Sequence, residues 1–577
     1  MDKKAVADVL DEIAVLLELT GENTFKIRAY QNAARALQAL DRDLAAVVRA
    51  GELRSIRGVG EAIAEKVETL VRTGRLPYLE ELQAKVPGGL LDLLKIPGLG
   101  PKRVRELHAE LGIASLGELE YAAQSKMIET LPGFGEKLQA KVLAGIAAVK
   151  RSAERVLLSE ATAAAEVALQ AVSALPGVQR CSMAGSLRRR RETIGDLDIV
   201  VSTRDAAALM QRVVKLPIAQ EVISHGETKT SVRLPNGMQL DLRAVHDDEF
   251  PYTLHHFTGS KEHNIAMRAR AQSQGLKINE YGLWRGEERI PCKDEAEFFA
   301  ALGLAEIPPE LREDAGEIEA AESDALPDLL TPDDIRGVLH THSVYSDGAD
   351  TIRDMALAAK QRGYAYIGLS DHSRSARYAN GMQLETVEAY FQEIDRLNDE
   401  LQGIHILKGT ECDIFPDGHL DYPDDLLARF DFVVGSVHSA FGMKEAQMTK
   451  RILRALESPF LDVLGHPTGR LLLAREPYAV QLSRVLEAAA ERGVAVEINA
   501  NPHRLDLDWR EIRGFREQGG WVSINPDAHR TEGLDDMQYG IAIARKGWVT
   551  KERVLNALAL PALRKWLVER RAKERAA

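Results

Sequence analysis

At 577 residues the chain is too long for a single hydrophobic core, so three or more domains are expected. Hydrophobic residues at 45% and charged residues at 28% are ordinary for a soluble globular protein; three scattered cysteines (Cys181, Cys292, Cys412) exclude a disulfide framework and point to a reducing cytoplasm. A net charge of −13 speaks against a nucleic-acid partner only at face value, because nearly all of the excess lies in residues 311–577 and leaves basic patches upstream uncancelled.

The N-terminal stretch MDKKAVADVLDEIAV is charged within its apolar run and is not a signal peptide, and no run is long enough to span a bilayer. One pattern then occurs three times: LRSIRGVGEAIAEKV, LLKIPGLGPKRVREL and IETLPGFGEKLQAKV. Each is a short helical lead-in, a Gly-hydrophobic-Gly turn (Gly58-Val59-Gly60, Gly98-Leu99-Gly100, Gly133-Phe134-Gly135) and a helix opening behind it. The glycines let backbone approach a ligand, and the following helix presents N–H groups and a positive dipole end. The pattern resembles the helix-hairpin-helix motif, which grips DNA phosphates without reading sequence.

Residues 184–201, AGSLRRRRETIGDLDIVV, hold a Gly-Ser turn (Gly185, Ser186), a run of arginines, a second turn at Gly195 and an Asp-x-Asp entering an apolar strand. Alternate side chains of a strand share a face, so Asp196 and Asp198 point together while Leu197 and Ile199 face a core. Paired carboxylates repel unless a cation lies between them, and Mg²⁺ accepts such oxygens with room left for phosphate. MQLDLRAV supplies a third acid, Asp241, on a further strand. Three acids beside phosphate donors describe two-metal phosphoryl or nucleotidyl transfer.

From these motifs together with HHFTGSKEHNIAMRARAQSQGLKINEYGL, residues up to about 315 resemble a family X DNA polymerase, the family of DNA polymerase beta. The resemblance implies a lyase-like helix-hairpin-helix domain (1–80), fingers (81–150), a nucleotidyltransferase palm (151–247) and a thumb (248–315). It makes Asp196, Asp198 and Asp241 ligands of two Mg²⁺ ions, and Gly185, Ser186, Arg189, Gly195 and Arg155 the grip on the triphosphate. Phe257 and Gly259 match residues lining the nucleotide's sugar, Asn264 one that reaches the base, and Arg268 a template-side residue. Lys66 falls where the family places a Schiff-base amine for abasic sugars, and Lys26 where it holds a 5′-phosphate. His256 departs from the tyrosine that precedes the phenylalanine in the animal enzymes.

Residues 316–333, acidic and proline-bearing, read as a linker. Beyond them seven apolar runs each end in a polar cluster: RGVLHTH, YAYIGLSDHS, IHILKGTECD, FDFVVGSVHS, LDVLGHP, GVAVEINAN and GWVSINPDAH. Amphipathic helical stretches separate most of them, which predicts a parallel sheet, and polar groups at every strand end predict a barrel with its site on that face. The clusters supply His340, His342, Asp347, His372, Glu411, His438, His466, Asp527 and His529. Nine such ligands exceed one tetrahedral ion, so two or three ions of the Zn²⁺ or Mn²⁺ type are expected. Asp371 and Asn501 read as residues behind the ligands or facing the substrate, and the arginine-rich tail as a solvated helix end. HTHSVYSDG with SDHS, VHS, GHP and PDAH resembles the PHP (polymerase and histidinol phosphatase) domain, over 334–577, and implies a trinuclear metal site.

The expected whole is a multidomain α/β protein: all-α helix-hairpin-helix domains, an α+β palm with thumb, and a distorted parallel (β/α)7 barrel. The resemblances imply a cytoplasmic, monomeric DNA-repair enzyme that takes gapped or primer–template DNA and dNTPs. It would fill short gaps in base excision repair, trim 3′ ends as a 3′→5′ exonuclease, and cut at abasic sites as endonuclease or lyase. Two rival readings stay open: a nucleotidyltransferase that needs no template or acts on RNA, and a DNA-end scaffold with a PHP phosphatase and an inert palm.

Overall fold

Strand and helix periods carry the architecture. The computed structural model describes residues 3–38, 40, 44–56, 58–87, 89–150 and 155–576, which divide into two units, 1–148 and 149–577. Among its described residues the first unit forms helices and no strand. Each Gly-hydrophobic-Gly turn opens a helix: α1 (Glu61–Thr73), α2 (Pro101–Leu111) and α3 (Glu136–Lys150). In α1 the apolar residues Ile63, Ala64, Val67 and Leu70 recur at helical spacing and are buried. The first glycine of each turn has positive φ (101°, 98° and 84° at Gly58, Gly98 and Gly133), which is why a residue without Cβ stands there.

The second unit begins with a five-stranded sheet. Its strands are β1 (Val178–Met183), β2 (Asp196–Thr203), β3 (Glu221–His225), β4 (Lys229–Arg233) and β5 (Gln239–Val245), in the order β1-β2-β5-β4-β3. β2 and β5 run parallel, with Asp198 opposite Asp241. Along β2 the pattern is exposed Asp196, buried Leu197, half-buried Asp198 and then continuous burial, so the strand leaves the core only where its carboxylates stand. The segment expected to be the thumb follows as α4 (Phe250–Thr258), α5 (Lys261–Ser273) and a small antiparallel sheet within 277–290.

The barrel strands are β6 (Gly337–Thr341), β7 (Tyr366–Leu369), β8 (His405–Asp413), β9 (Phe432–Ser436), β10 (Val463–Leu464), β11 (Ala495–Asn499) and β12 (Val522–Asn525). All seven are parallel and pair in sequence order. Thr341 bridges to Ala528 and the Asn525 carboxamide accepts from Leu339 N–H, which draws the first and last strands together into a nearly closed barrel. Their near-total burial is what a parallel sheet covered on both faces requires. No helix among the described residues is long and apolar enough to cross a membrane.

Two expectations are corrected. Residues 316–333 are folded rather than a free tether: Glu317–Glu322 is helical, Ile318, Ala321 and Leu329 join the thumb core, and the fully buried Glu317 accepts from His263 at 2.7 Å. Acidity misled there, because one acid is buried with a histidine. The arginine-rich tail is solvated only in part: Arg564, Lys565 and Lys573 are exposed, but two arginines are drawn inward. Arg570 (2.8 Å) and Arg571 (2.6 Å) hold the buried Asp462, whose carboxylate also accepts from Val433 N–H. A charge at the barrel's base needs such partners.

Candidate active sites

In the palm, Gly185 (φ 65°) sits so close to Asp198 that a Cβ would overlap its carboxylate, and Ala184 N–H donates to the Asp198 carbonyl at 2.8 Å. The Gly-Ser turn is thereby packed onto the Asp-x-Asp strand. Asp241 stands across from Asp198, accepting from Gln239 at 2.7 Å and Lys229 at 3.0 Å. Burial, then the charges of Asp196 and Asp241, push the Asp198 carboxyl up to about 7. Burial also acts on Asp241, but bonds from Ser231, Gln239 and Lys229 outweigh it and hold that carboxyl below its ordinary value. A buried carboxyl whose ionisation two neighbouring carboxylates oppose, with those two beside it, is a donor set that a pair of hard divalent cations fits.

The raised Asp198 carries a stability prediction. In metal-free protein its ionisation opposes the fold, a cost absent below about pH 4 and complete above about pH 7. Asp198→Asn is therefore expected to stabilise the EDTA-treated protein at pH 8 by about 1–3 kcal/mol and to change little at pH 4.5. Thermal unfolding at the two pH values checks this; equal shifts at both would contradict it.

Arg189 caps the short helix Gly185–Arg188; its Nε donates to Glu313 at 3.0 Å and its Nη1 to the Thr258 carbonyl at 2.7 Å. Arg188 bonds Thr258 (2.7 Å) and Glu295 (2.6 Å), which also pairs with the buried Arg312. Arg155 is exposed and donates to Thr193 Oγ1 at 3.0 Å, two residues before Gly195. On the thumb side, Asn264 donates to the His256 (2.7 Å) and Gly259 (3.3 Å) carbonyls, so its amide hydrogens hold the turn between α4 and α5. A Cβ on Gly259 would crowd His263 and Asn264. His256 stacks edge-on against Phe257 (5.1 Å), whose face lies 4.9 Å from the Arg243 guanidinium. Arg268 is exposed on α5.

At the barrel mouth the nine candidate ligands converge. Glu411 lies at its centre, within 2.9–3.7 Å of His340, His342, His372, His438 and His466. Asp347 faces His529 (3.3 Å), His372 (3.7 Å) and His342 (3.8 Å), while Asp527 faces His342 (3.2 Å) and His340 (3.6 Å). Three sets present ligand atoms within 4.8 Å of one another: His342-Asp347-His372-His529, His340-His342-Asp527 and His372-Glu411-His438. Ring nitrogens of His340, His342, His372 and His466 are buried with no hydrogen-bond partner among the described residues, an orphaning that bound cations would relieve.

The residues behind these ligands are partly new. Asp413 accepts from His438 Nδ1 (2.6 Å), and Glu497 pairs with His340 Nδ1 (2.7 Å) and accepts from His466 N–H (2.8 Å). Such carboxylates fix which ring nitrogen faces the metal. Burial lowers the His438 imidazole, but Glu411 and Asp413 overcome it and push it up to about 10. Asp371 lies behind the site, accepting from Ser343 and Ser346, whereas Asn501 caps its own loop at His503 N–H. Strand alternation carried a signal for Asp413, two residues after Glu411 on β8. Glu497 was hidden inside an apolar run.

In the first unit a Cβ at Gly60, Gly100 or Gly135 would meet open space, so these turns leave their backbone free for a phosphate. Lys66 Nζ lies 4.8 Å from the Tyr78 ring centroid and donates to the Ala62 carbonyl; Lys26 lies 5.8 Å from the same ring. Tyr78, then Glu22, hold the Lys26 ammonium above its ordinary value despite partial burial.

Family models match four stretches: a helix-hairpin-helix domain (1–76), a SAM-like helix-hairpin-helix tandem (90–147), the DNA polymerase beta thumb (253–313) and the PHP domain (339–501). The chain is 41% identical to the DNA polymerase/3′-5′ exonuclease PolX of Bacillus subtilis (strain 168), over 97% of this chain and 98% of that protein. It is 28% identical to a probable phosphatase of Thermoanaerobacter sp. (strain X514) over 38% of this chain and 88% of that one. A probable phosphatase of Caldanaerobacter subterraneus is 29% identical over 40% and 91%.

Proposed function

The chain belongs to the bacterial family X DNA polymerases that carry a PHP domain, and on that footing we propose that it fills short gaps in duplex DNA from its palm and trims 3′ ends from its barrel. It is a DNA-directed DNA polymerase and a metal-dependent 3′→5′ exonuclease. The observation that carries the reading is that two metal-competent clusters of different chemistry, one of aspartates and one mostly of imidazoles, are both complete in one chain.

In the palm, Asp196, Asp198 and Asp241 hold the cations, the Gly185–Ser186 turn and Arg189 grip the triphosphate, and Gly195 and Arg155 flank it. The primer's 3′ hydroxyl loses its proton and attacks the α-phosphorus; the bond to the β-phosphate oxygen breaks and pyrophosphate leaves. Bound divalent ions lower the pKa of the attacking oxygen and neutralise the charge on the phosphate in either site. Phe257 and Gly259 line the sugar, Asn264 shapes that turn, and Arg268 meets the template strand. In the barrel the nine ligands hold the cations, while Asp413 and Glu497 orient His438 and His340. Water attacks the terminal phosphodiester there, releasing a nucleoside 5′-monophosphate and a new 3′ hydroxyl.

The finer reading is two Mg²⁺ in the palm and two or three Zn²⁺ or Mn²⁺ in the barrel, with gapped or primer–template DNA and dNTPs as partners. The protein works as a cytoplasmic monomer in base excision repair. Gly58, Gly60, Gly98, Gly100, Gly133 and Gly135 hold DNA backbone, Lys26 a 5′-phosphate, and Lys66 serves an abasic-site lyase step. Primer extension on a one-nucleotide gap is expected to incorporate the templated dNTP, with none added to blunt duplex. Equal incorporation with and without template would reject the reading. Degradation of 5′-labelled single strands is expected to give a ladder shortened from the 3′ end.

A further inference from the structure

Helix α6 (Met537–Lys546) belongs to the barrel, yet its last residue serves the other half of the unit. The Lys546 side chain is fully buried. Its ammonium donates to Glu313 at 2.5 Å and to the carbonyls of Arg189 and Glu310 at 3.1 Å each, and lies 4.6 Å from the centroid of the Trp509 ring. All three of its hydrogens are thus spent on the thumb's last segment and the palm's arginine loop. Burial draws the ammonium down to about 8, against the opposing pull of Glu313.

Glu313 passes the contact on. Besides Lys546 it accepts from Arg189 Nε at 3.0 Å and lies 3.7 Å from Arg191. The Glu310 carboxylate takes Arg545 of the same helix at 2.8 Å, so α6 holds this segment at two points. With Nε on Glu313 and Nη1 on the Thr258 carbonyl, the Arg189 guanidinium has one nitrogen, Nη2, that makes no hydrogen bond among the described residues. An arginine tied at two nitrogens has already lost the rotamer freedom that a free one gives up on meeting its ligand.

The geometry points to Lys546 as a positioning residue of the polymerase site: through Glu313 it sets the Arg189 guanidinium so that its free nitrogen meets the nucleotide's triphosphate, which makes the barrel domain a part of the nucleotide pocket. This rests on the reading of Arg189 given under Proposed function. Removing the ammonium leaves Glu313 buried beside a lost partner and lets it, and Arg189 with it, move.

The test is steady-state gap filling by the full chain at varied dNTP concentration, with exonuclease assays and thermal unfolding in parallel. Lys546→Met is expected to raise KM for dNTP roughly tenfold, with kcat within about threefold of wild type and exonuclease activity unchanged. Glu313→Gln is expected to do the same, and carries the test alone if Lys546→Met does not fold. In an Arg189→Ala background Lys546→Met is expected to add nothing to KM, because the residue it positions is gone. A Lys546 effect of equal size with and without Arg189 marks a merely structural role and overturns the proposal. So does an unchanged KM in Lys546→Met and Glu313→Gln while Arg189→Ala raises it. An unchanged KM in Arg189→Ala would instead remove the triphosphate reading, and the positioning role with it.

Discussion

Asp198→Ala is expected to lower primer extension by at least about 10³-fold while 3′→5′ degradation stays within about twofold of wild type. Asp198 stands between the other two acids: it shares β2 with Asp196, faces Asp241 across the parallel pair, and carries the Gly185 turn on its carboxylate. Losing it removes one of the three carboxylates that would hold the cations and the side chain on which the Gly185 turn is packed. The alanine also deletes a carboxyl whose ionisation burial opposes, so the variant is expected to unfold no earlier than wild type in EDTA. A folded variant that still extends primers at more than a hundredth of the normal rate would show that the palm cluster is not the polymerase centre.

Glu411→Gln is the counterpart in the barrel. It is expected to reduce exonuclease activity by at least about 10³-fold and to leave extension within about twofold. Five ligand imidazoles lie against this one carboxylate, and His372, Glu411 and His438 form one of the three candidate ion sites. The amide keeps the volume but gives up the charge that bound cations need, and it can turn an N–H toward them. Metal content of the purified variant, measured beside activity, is expected to fall by at least one ion per chain. Retained nuclease activity with a full metal complement would reject the trinuclear assignment. Loss of both activities in a folded protein would instead show that the two centres are not separable.

Of the two corrected segments, each failed for the same reason. Residues 316–333 and the C-terminal helix are rich in charge, and charge in a sequence reads as solvent. Glu317 and Asp462 are buried because His263 in one case and Arg570 with Arg571 in the other come from distant parts of the chain. Pairing at that separation leaves no local pattern.

Composition, period and motif were enough to place the helix-hairpin-helix repeats, the three aspartates that share one edge of the palm sheet, the seven barrel strands and the nine side chains that gather at the barrel mouth. Those features are local: a period-2 strand aims alternate carboxylates to one side, and a parallel barrel must bring its strand ends together at one mouth. Which groups stand behind the ligands was decided only in three dimensions. Glu497 looks like an interruption in an apolar run until β11 is set beside the strands that carry His340 and His466. Lys546 looks like a helix-end lysine until the thumb's Glu313 and the palm's Arg189 are packed over it. A buried charge is defined by its partners, and partners hundreds of residues apart meet only once the domains have closed on one another.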